Sequence, residues 1–195
     1  MNPFRMWFSL GFEHLLDLNG YDHMLFVTLL ALAFPLKHWG KLLVLITAFT
    51  LGHSLSLAAS VVWKESLPQK IVEPCIALSI LITAVYHLLK KEAPEKKGDW
   101  VLYSLTLGFG LLHGMGFSFL LRSLLGREES VFLPLMYFNL GIEAAQLLFV
   151  AVLLGISVFL KSVIRVPYKP FKYTLVCSIG LVALKITIER LLPLF

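Results

Sequence analysis

The chain has 195 residues, of which 58% are hydrophobic and only 15% are charged, whereas an ordinary soluble domain carries about 25% charged residues. A soluble fold of this length has too little interior to cover so much apolar surface, so the composition excludes a soluble globular domain and indicates lipid as the surrounding solvent. The net charge of +5 does not indicate nucleic-acid binding, because the basic residues lie between apolar runs and not in one patch.

The predicted elements are seven helices in one integral membrane domain that covers residues 1–195. The first, Phe4 to Leu18, is short and amphipathic, which leaves open a half-span, an interfacial helix or a tilted seventh span. Six full spans follow, because each later run is mostly apolar and close to the roughly 20 residues that cross a bilayer. Their predicted limits are Gly20 to Pro35, Lys41 to Trp63, Ile71 to Leu89, Trp100 to Leu124, Val131 to Leu160 and Phe171 to Leu192. The predicted fold class is an all-α transmembrane helical bundle without a convincing internal repeat.

Charge at the ends of the spans predicts the orientation of the bundle. Lys and Arg are more numerous in the connections after the first, third and fifth full spans than on the opposite side. By the positive-inside rule these three connections face the cytoplasm, and the first full span begins at the outer face.

Strongly polar residues inside the spans are the candidates for function. A charged side chain at the centre of a membrane costs about 3 kcal/mol or more, so such residues usually face the interior of the bundle and take part in function. The candidates are His14, Asp22, His23, His53, Glu73, His87, His113, Asn139, Glu143 and Gln146. At 1.5 Å per residue, His53, His113 and Glu143 lie about 18 to 20 Å into their spans, near the membrane centre. His87 falls at the opposite end of its span and is expected to stand apart.

The residue types in this set favour a transition-metal site. Imidazole and carboxylate groups together suit divalent ions such as Ni²⁺, Co²⁺ and Zn²⁺. A histidine ligand usually donates its second N–H to a carboxylate or carbonyl group, and Glu73, Asn139 and Gln146 are candidates for such supporting hydrogen bonds. Asn139, Glu143 and Gln146 share one helix face, because they are spaced at i, i+4 and i+7.

Five ordered motifs resemble those of the HupE/UreJ family of membrane proteins, and its second branch in particular. They are GFEH (11–14) with GYDHMLF (20–26), TAFTLGHSLSL (47–57), Glu73 with IALS (76–79), LHGMGF (112–117), and FNLGIE (138–143) with Gln146. The family is associated with nickel or cobalt uptake in hydrogenase and urease contexts.

The resemblance implies a nickel or cobalt permease in a bacterial inner membrane. Its partners would be a divalent metal ion and membrane lipid, and homo-oligomerisation is left open. The implied metal ligands are His14, Asp22, His23, His53, His113 and Glu143.

Two other hypotheses compete with transport. In the first, three histidine and aspartate ligands hold Zn²⁺ in an intramembrane hydrolase for a lipid or lipidated substrate, with Glu143 as the general base. In the second, the polar residues only fix the packing of the helices and bind no metal.

Overall fold

The computed structural model describes residues 2–34, 38–63, 67–90, 99–125 and 131–194. Within these ranges the regular elements are all helical, and short 3₁₀ turns occupy Leu18–Gly20 and Leu192–Leu194. The α-helices are α1 (Pro3–Leu16), α2 (Asp22–Ala31), α3 (Trp39–Val62), α4 (Gln69–Leu89), α5 (Trp100–Leu125), α6 (Phe132–Ser162) and α7 (Tyr168–Leu191). The predicted all-α transmembrane bundle is confirmed.

The helices near the N-terminus are shorter than those that follow. Among the described residues, the five helices α3 to α7 are long and apolar enough to cross a bilayer. The run predicted as the first full span forms only α2, whose 10 residues reach about 15 Å, half of the hydrocarbon thickness. The expected six full spans are therefore five in the described part of the chain, preceded by two short helices.

Residues 17–21 separate α1 from α2. Asn2 accepts a hydrogen bond from the Phe4 amide at 3.0 Å and caps α1 at its start. The backbone leaves the helical region at Asp17, and a 3₁₀ turn at Leu18–Gly20 follows. Asp22 then lies in the first turn of α2, where a carboxylate interacts favourably with the helix dipole.

Helices α3 and α5 pack so closely that glycines of each helix lie against the backbone of the other. A Cβ atom at Gly52 would overlap the Leu107 carbonyl group, and one at Gly110 would overlap that of Phe49. Gly114 faces the carbonyl group of His53 in the same way. Because residue numbers increase together along this contact, α3 and α5 run parallel. Small residues allow this approach in a membrane, where packing replaces the hydrophobic effect between helices.

Helices α1 and α6 repeat this reciprocal glycine contact. Gly11 faces the carbonyl group of Phe138, and Gly141 faces that of Phe8. In each pair, one helix contains Gly-x-x-His, at residues 11–14 of α1 and 110–113 of α5. Its partner contains Phe-x-Leu-Gly, at residues 138–141 of α6 and 49–52 of α3. The structure thus relates two short patterns that the sequence analysis did not recognise as a repeat.

The third close pair, α4 with α7, is antiparallel. Arg190 near the end of α7 contacts Glu73 near the start of α4, while Gly180 lies against the Cβ atom of Ala84. The charge count predicts that the end of the bundle carrying Glu73 and Arg190 faces outward, and we call it the predicted outer end. Several of the basic residues in that count, including Lys37, lie outside the described residues.

Asp99 connects the C-terminal end of α4 to the N-terminal end of α5. Its carboxylate accepts hydrogen bonds from the Tyr86 hydroxyl at 2.5 Å, from Lys90, and from the Leu102 amide at 3.3 Å. Burial alone raises the pKa of Asp99, but the hydrogen bonds from Lys90 and Tyr86 outweigh burial and hold the pKa below its ordinary value of 3.8. The carboxylate therefore stabilises the fold above about pH 4, and this stabilisation is lost as the pH falls further.

We expect Asp99→Ala to lower the free energy of unfolding by about 1 kcal/mol at pH 7, because α5 loses its capping side chain. Thermal unfolding followed by circular dichroism in detergent measures the effect, and the gap to the unmodified protein should narrow towards pH 3. Glu189→Ala is the control, because its ion pair with Lys185 is exposed and weak. Equal melting temperatures for Asp99→Ala and the unmodified protein at pH 7 would contradict this role.

Candidate metal centre

Four imidazole rings from four helices meet inside the bundle. They belong to His14 on α1, His23 on α2, His53 on α3 and His113 on α5. His23 is central, with its ring centroid 4.8 Å from that of His14, 4.7 Å from that of His113 and 6.4 Å from that of His53. The close approach of α3 and α5 at their glycines brings His53 and His113 to the same level of the bundle.

These residues form two groups whose ligand atoms lie within 4.8 Å of one another. The first triad is His14, His23 and His53, and the second is Asp22, His23 and His113. Two nitrogen ligands at about 2.1 Å from one ion lie at most about 4.2 Å apart, so small side-chain movements would complete either triad. His23 belongs to both, which makes it the common residue of the centre.

Hydrogen bonds orient two of the rings. The Nδ1 atom of His113 lies 2.8 Å from the Phe109 carbonyl oxygen, so Nδ1–H donates to that oxygen. The Nδ1 atom of His23 lies 3.4 Å from the Gly20 carbonyl oxygen and 3.3 Å from the Asp22 carboxylate. When Nδ1 carries the proton, Nε2 presents a lone pair, which is the arrangement that a metal-binding imidazole uses.

Five other ring nitrogen atoms of the cluster are buried without a hydrogen-bond partner among the described residues. Among the described residues, no hydrogen-bond partner is present for Nε2 of His14, His23 and His113, or for either ring nitrogen of His53. Leaving one buried polar atom unpaired costs about 1 to 3 kcal/mol, so a cluster of them is expensive unless a ligand satisfies it. A cation that accepts imidazole lone pairs would satisfy several of these atoms at once.

Aromatic side chains enclose the cluster on one side. The Phe117 ring lies 4.1 Å from that of His14, and the Phe138 and Phe49 rings lie 6.2 and 6.3 Å from that of His53. Apolar rings beside the histidines lower the local dielectric, which strengthens the attraction between an ion and its ligands.

His14 and Phe117 also line a cavity of about 670 Å³ that is open to the surface. Its lining includes the exposed acids Glu13 and Asp17 beside the partly buried His14 and Phe117. The first triad is therefore reached at His14 from a largely apolar cavity that also carries two acidic side chains.

The structure places Glu143 and Gln146 on a contact between α3 and α6. The Thr50 hydroxyl donates to Gln146 at 2.8 Å, and the Thr47 hydroxyl donates to the Glu143 carboxylate at 3.0 Å. Thr47 precedes His53 by six residues, or about 9 Å along the helix axis, so Glu143 meets α3 well away from His53. Glu143, expected as a ligand, is a member of neither triad.

Asn139 remains close to the cluster. Its side chain faces His53, but its Oδ1 atom has no hydrogen-bond partner among the described residues. A ring rotation of His53 on metal binding would bring its free N–H towards this oxygen, which is the supporting role expected from the sequence.

Glu73 and Arg190 lie beside the second triad at the predicted outer end. Glu73, expected to support the ligands directly, is half exposed and contacts Arg190 instead. Arg190 in turn lies 3.5 Å from the Asp22 carboxylate. Sequence reasoning did not single out Arg190, although a charged residue within the last apolar span is costly and was therefore a usable signal.

His87 stands apart from both triads, as its position in the sequence predicts. It is buried near the far end of α4, beside the backbone of Leu29, and its Nε2 atom has no hydrogen-bond partner among the described residues.

A helical bundle that crosses the membrane and buries a cluster of imidazole and carboxylate groups defines a polytopic integral membrane protein with a candidate metal centre. The chain matches the family described as HupE / UreJ protein over residues 1–190, and it belongs to that family. The resemblance inferred from the five motifs is confirmed, and the family is associated with nickel and cobalt transport. No curated protein and no solved structure matches the chain significantly.

Proposed function

We propose that this protein is a permease that carries Ni²⁺ or Co²⁺ across a bacterial inner membrane through the two histidine triads. The observation that carries the proposal is the set of buried imidazole nitrogens that have no partner among the described residues. Neutral imidazole with one carboxylate is a donor set that binds borderline ions such as Ni²⁺, Co²⁺ and Zn²⁺. Family membership favours nickel and cobalt within this group.

The entrance in this proposal is the cavity beside His14. The carboxylate of Glu13, which lines this cavity, attracts cations to it. The ion then reaches the first triad and passes to the second while remaining bound to His23, which is common to both. A shared ligand avoids complete release of the ion inside a low-dielectric interior, where an uncompensated charge is costly.

The exit in this proposal follows one face of α4. Ser79, Thr83 and His87 are spaced at i, i+4 and i+8 and are all buried. Ser79 donates to the Ile76 carbonyl group, and Thr83 donates to that of Ser79 at 2.9 Å, so their hydroxyl oxygens retain lone pairs for a passing ion. This row of oxygen and nitrogen atoms leads from the middle of α4 towards its far end.

The position of Glu143 favours transport over the zinc hydrolase. A general base must come within about 3 Å of the water that it activates. Glu143 instead accepts a hydrogen bond from Thr47 and belongs to neither triad, so the proposed hydrolase lacks its base at the metal.

Uptake by reconstituted vesicles tests the proposal. Purified protein in liposomes that contain a metal-sensitive dye should accumulate Ni²⁺ or Co²⁺, and His53→Ala and His113→Ala should each reduce the initial rate at least about tenfold, because each removes a ligand. His38→Ala is a matched control, since His38 lies at the start of α3, away from the triads. A folded, metal-binding protein that moves no ion would contradict transport while leaving the metal centre intact.

A separate variant tests the exit. We expect His87→Ala to slow uptake severalfold while the dissociation constant of the centre stays unchanged, because His87 lies beyond both triads. Calorimetry gives the binding constant and the vesicle assay gives the rate. An unchanged uptake rate would exclude His87 from the path.

A further inference from the structure

Arg190 places a permanent positive charge beside a candidate metal ligand. Its Nη1 atom lies 3.5 Å from one oxygen of the Asp22 carboxylate, while the other oxygen lies 3.3 Å from His23. Asp22 is 13% exposed and Arg190 is 28% exposed at the side chain, so the pair is only partly screened by solvent. Asp22 therefore lies between the second triad and a fixed cation.

A metal ion bound by Asp22 and His23 would lie within a few ångströms of the Arg190 guanidinium group. Like charges at this distance repel strongly in a partly buried site, so the two cations compete for the same carboxylate. Arginine remains protonated under all ordinary conditions, and the competition cannot be relieved by loss of its proton. Binding of the ion through the carboxylate therefore weakens the attraction of Asp22 for the guanidinium group and favours its movement away.

Glu73 gives Arg190 further partners on the neighbouring helix in the same conformation in which Arg190 contacts Asp22. The Arg190 Nε atom lies 3.8 Å from the Glu73 carboxylate, and Nη1 donates to the Glu73 backbone carbonyl group at 3.1 Å. The guanidinium group can thus give up Asp22 without losing all of its partners. This also explains why an acid stands at the start of α4 without joining a triad.

We propose that Arg190 is a positioning residue that contacts both Asp22 and Glu73 when the centre is empty and keeps only its contacts with Glu73 when a metal ion binds. The inference rests on the proposed metal-binding function and adds a residue that controls it. It links α7 to occupation of the second triad, because the movement of Arg190 changes the contact of α7 with α2.

Two substitutions that each remove a charge should change the metal affinity in opposite directions. Arg190→Gln removes the competing cation and should tighten the binding of Ni²⁺ or Co²⁺ about tenfold, which is the scale of one close ion-pair interaction. Glu73→Gln leaves Arg190 with only Asp22 as a charged partner and should weaken metal binding severalfold. The double variant should resemble Arg190→Gln, because Glu73 acts through Arg190.

Calorimetric titration of the purified full chain with NiCl₂ measures these changes. Arg190→Lys keeps the charge and should restore a dissociation constant close to that of the unmodified protein. Lys185→Gln is the matched control, since it removes an exposed positive charge from the same helix. A structural role alone would weaken binding in Arg190→Gln through loss of fold, so tighter binding separates the two accounts.

The binding measurements separate failure of the role proposed for Arg190 from failure of the proposed metal-binding function. Absence of metal binding by the unmodified protein would remove the proposed function itself. Binding by the unmodified protein with equal or weaker binding by a folded Arg190→Gln would overturn only the role of Arg190. If Arg190→Gln does not fold, Glu73→Gln decides alone, because an unchanged dissociation constant in that variant would also overturn it.

Discussion

Replacement of His23 with alanine should abolish metal binding at the centre, with a loss of affinity of at least about a hundredfold. Removal of a residue that only supports a ligand already costs about 10- to 100-fold in affinity, so loss of a shared ligand should cost more. His23 is the one residue common to the two triads found among the described residues. Calorimetric titration of the variant with Ni²⁺ and Co²⁺ measures the effect.

Variants of the other rings provide the comparison for His23→Ala. His53→Ala and His113→Ala each disrupt one triad and leave the other complete, so each should retain weaker, measurable binding. His38→Ala should bind as the unmodified protein does. Affinity within about threefold of the unmodified protein in a folded His23→Ala variant would show that the ion does not use this residue.

Substitution of Gly110 by valine should prevent the bundle from folding. A Cβ atom at this position overlaps the Phe49 carbonyl group and comes within 3.0 Å of the His53 amide nitrogen. Overpacking against side chains costs about 1 to 3 kcal/mol, and backbone that cannot rotate away should raise the cost further. The same displacement would separate α3 from α5 and disperse His53 and His113. Size-exclusion chromatography and thermal unfolding in detergent measure the loss of folded protein.

Gly108 supplies the control on the same helix. No atom outside its own helical backbone and chain neighbours lies within 4 Å of a Cβ placed there, so Gly108→Val should remain folded and keep its metal affinity. If Gly110→Val eluted as a monodisperse protein with an unchanged melting temperature, the reciprocal glycine contact would not hold the two helices together.

The positions of the spans were largely predictable, because apolar length and charge decide which segments enter a bilayer. The third to sixth predicted spans, for example, differ from α4 to α7 by only a few residues at each end. The first predicted span failed because hydropathy records apolar length and not helix continuity. Gly20 to Pro35 is apolar enough, but the regular helix that begins at Asp22 ends at Ala31.

The common level of the histidines in the membrane was predictable from their depth along the spans. His53 and His113 lie at similar distances along helices that run in the same direction, so their common level follows from the rise per residue. Depth does not give the rotation of a helix about its axis or its neighbours. Glu143 has the right depth, but its face of α6 meets Thr47, and this contact depends on which helices pack together.

The role suggested for Arg190 depends on contacts between the two ends of the chain. Asp22 and Arg190 lie near opposite termini, and the antiparallel packing of α4 and α7 brings Arg190 to the start of α4. Only the arrangement of helices in space relates such residues, which is why the sequence did not predict a contact between Asp22 and Arg190.

The central claim is that buried imidazole groups from separate helices bind one transition-metal ion within the membrane. X-ray absorption spectroscopy of the purified, nickel-loaded protein tests it most directly, because the spectrum reports the atoms bound to the metal. We predict nickel held by at least two imidazole nitrogens, with this signature lost in His23→Ala and retained in His38→Ala. Nickel coordinated only by water or carboxylate oxygen, or a spectrum unchanged in His23→Ala, would contradict the claim.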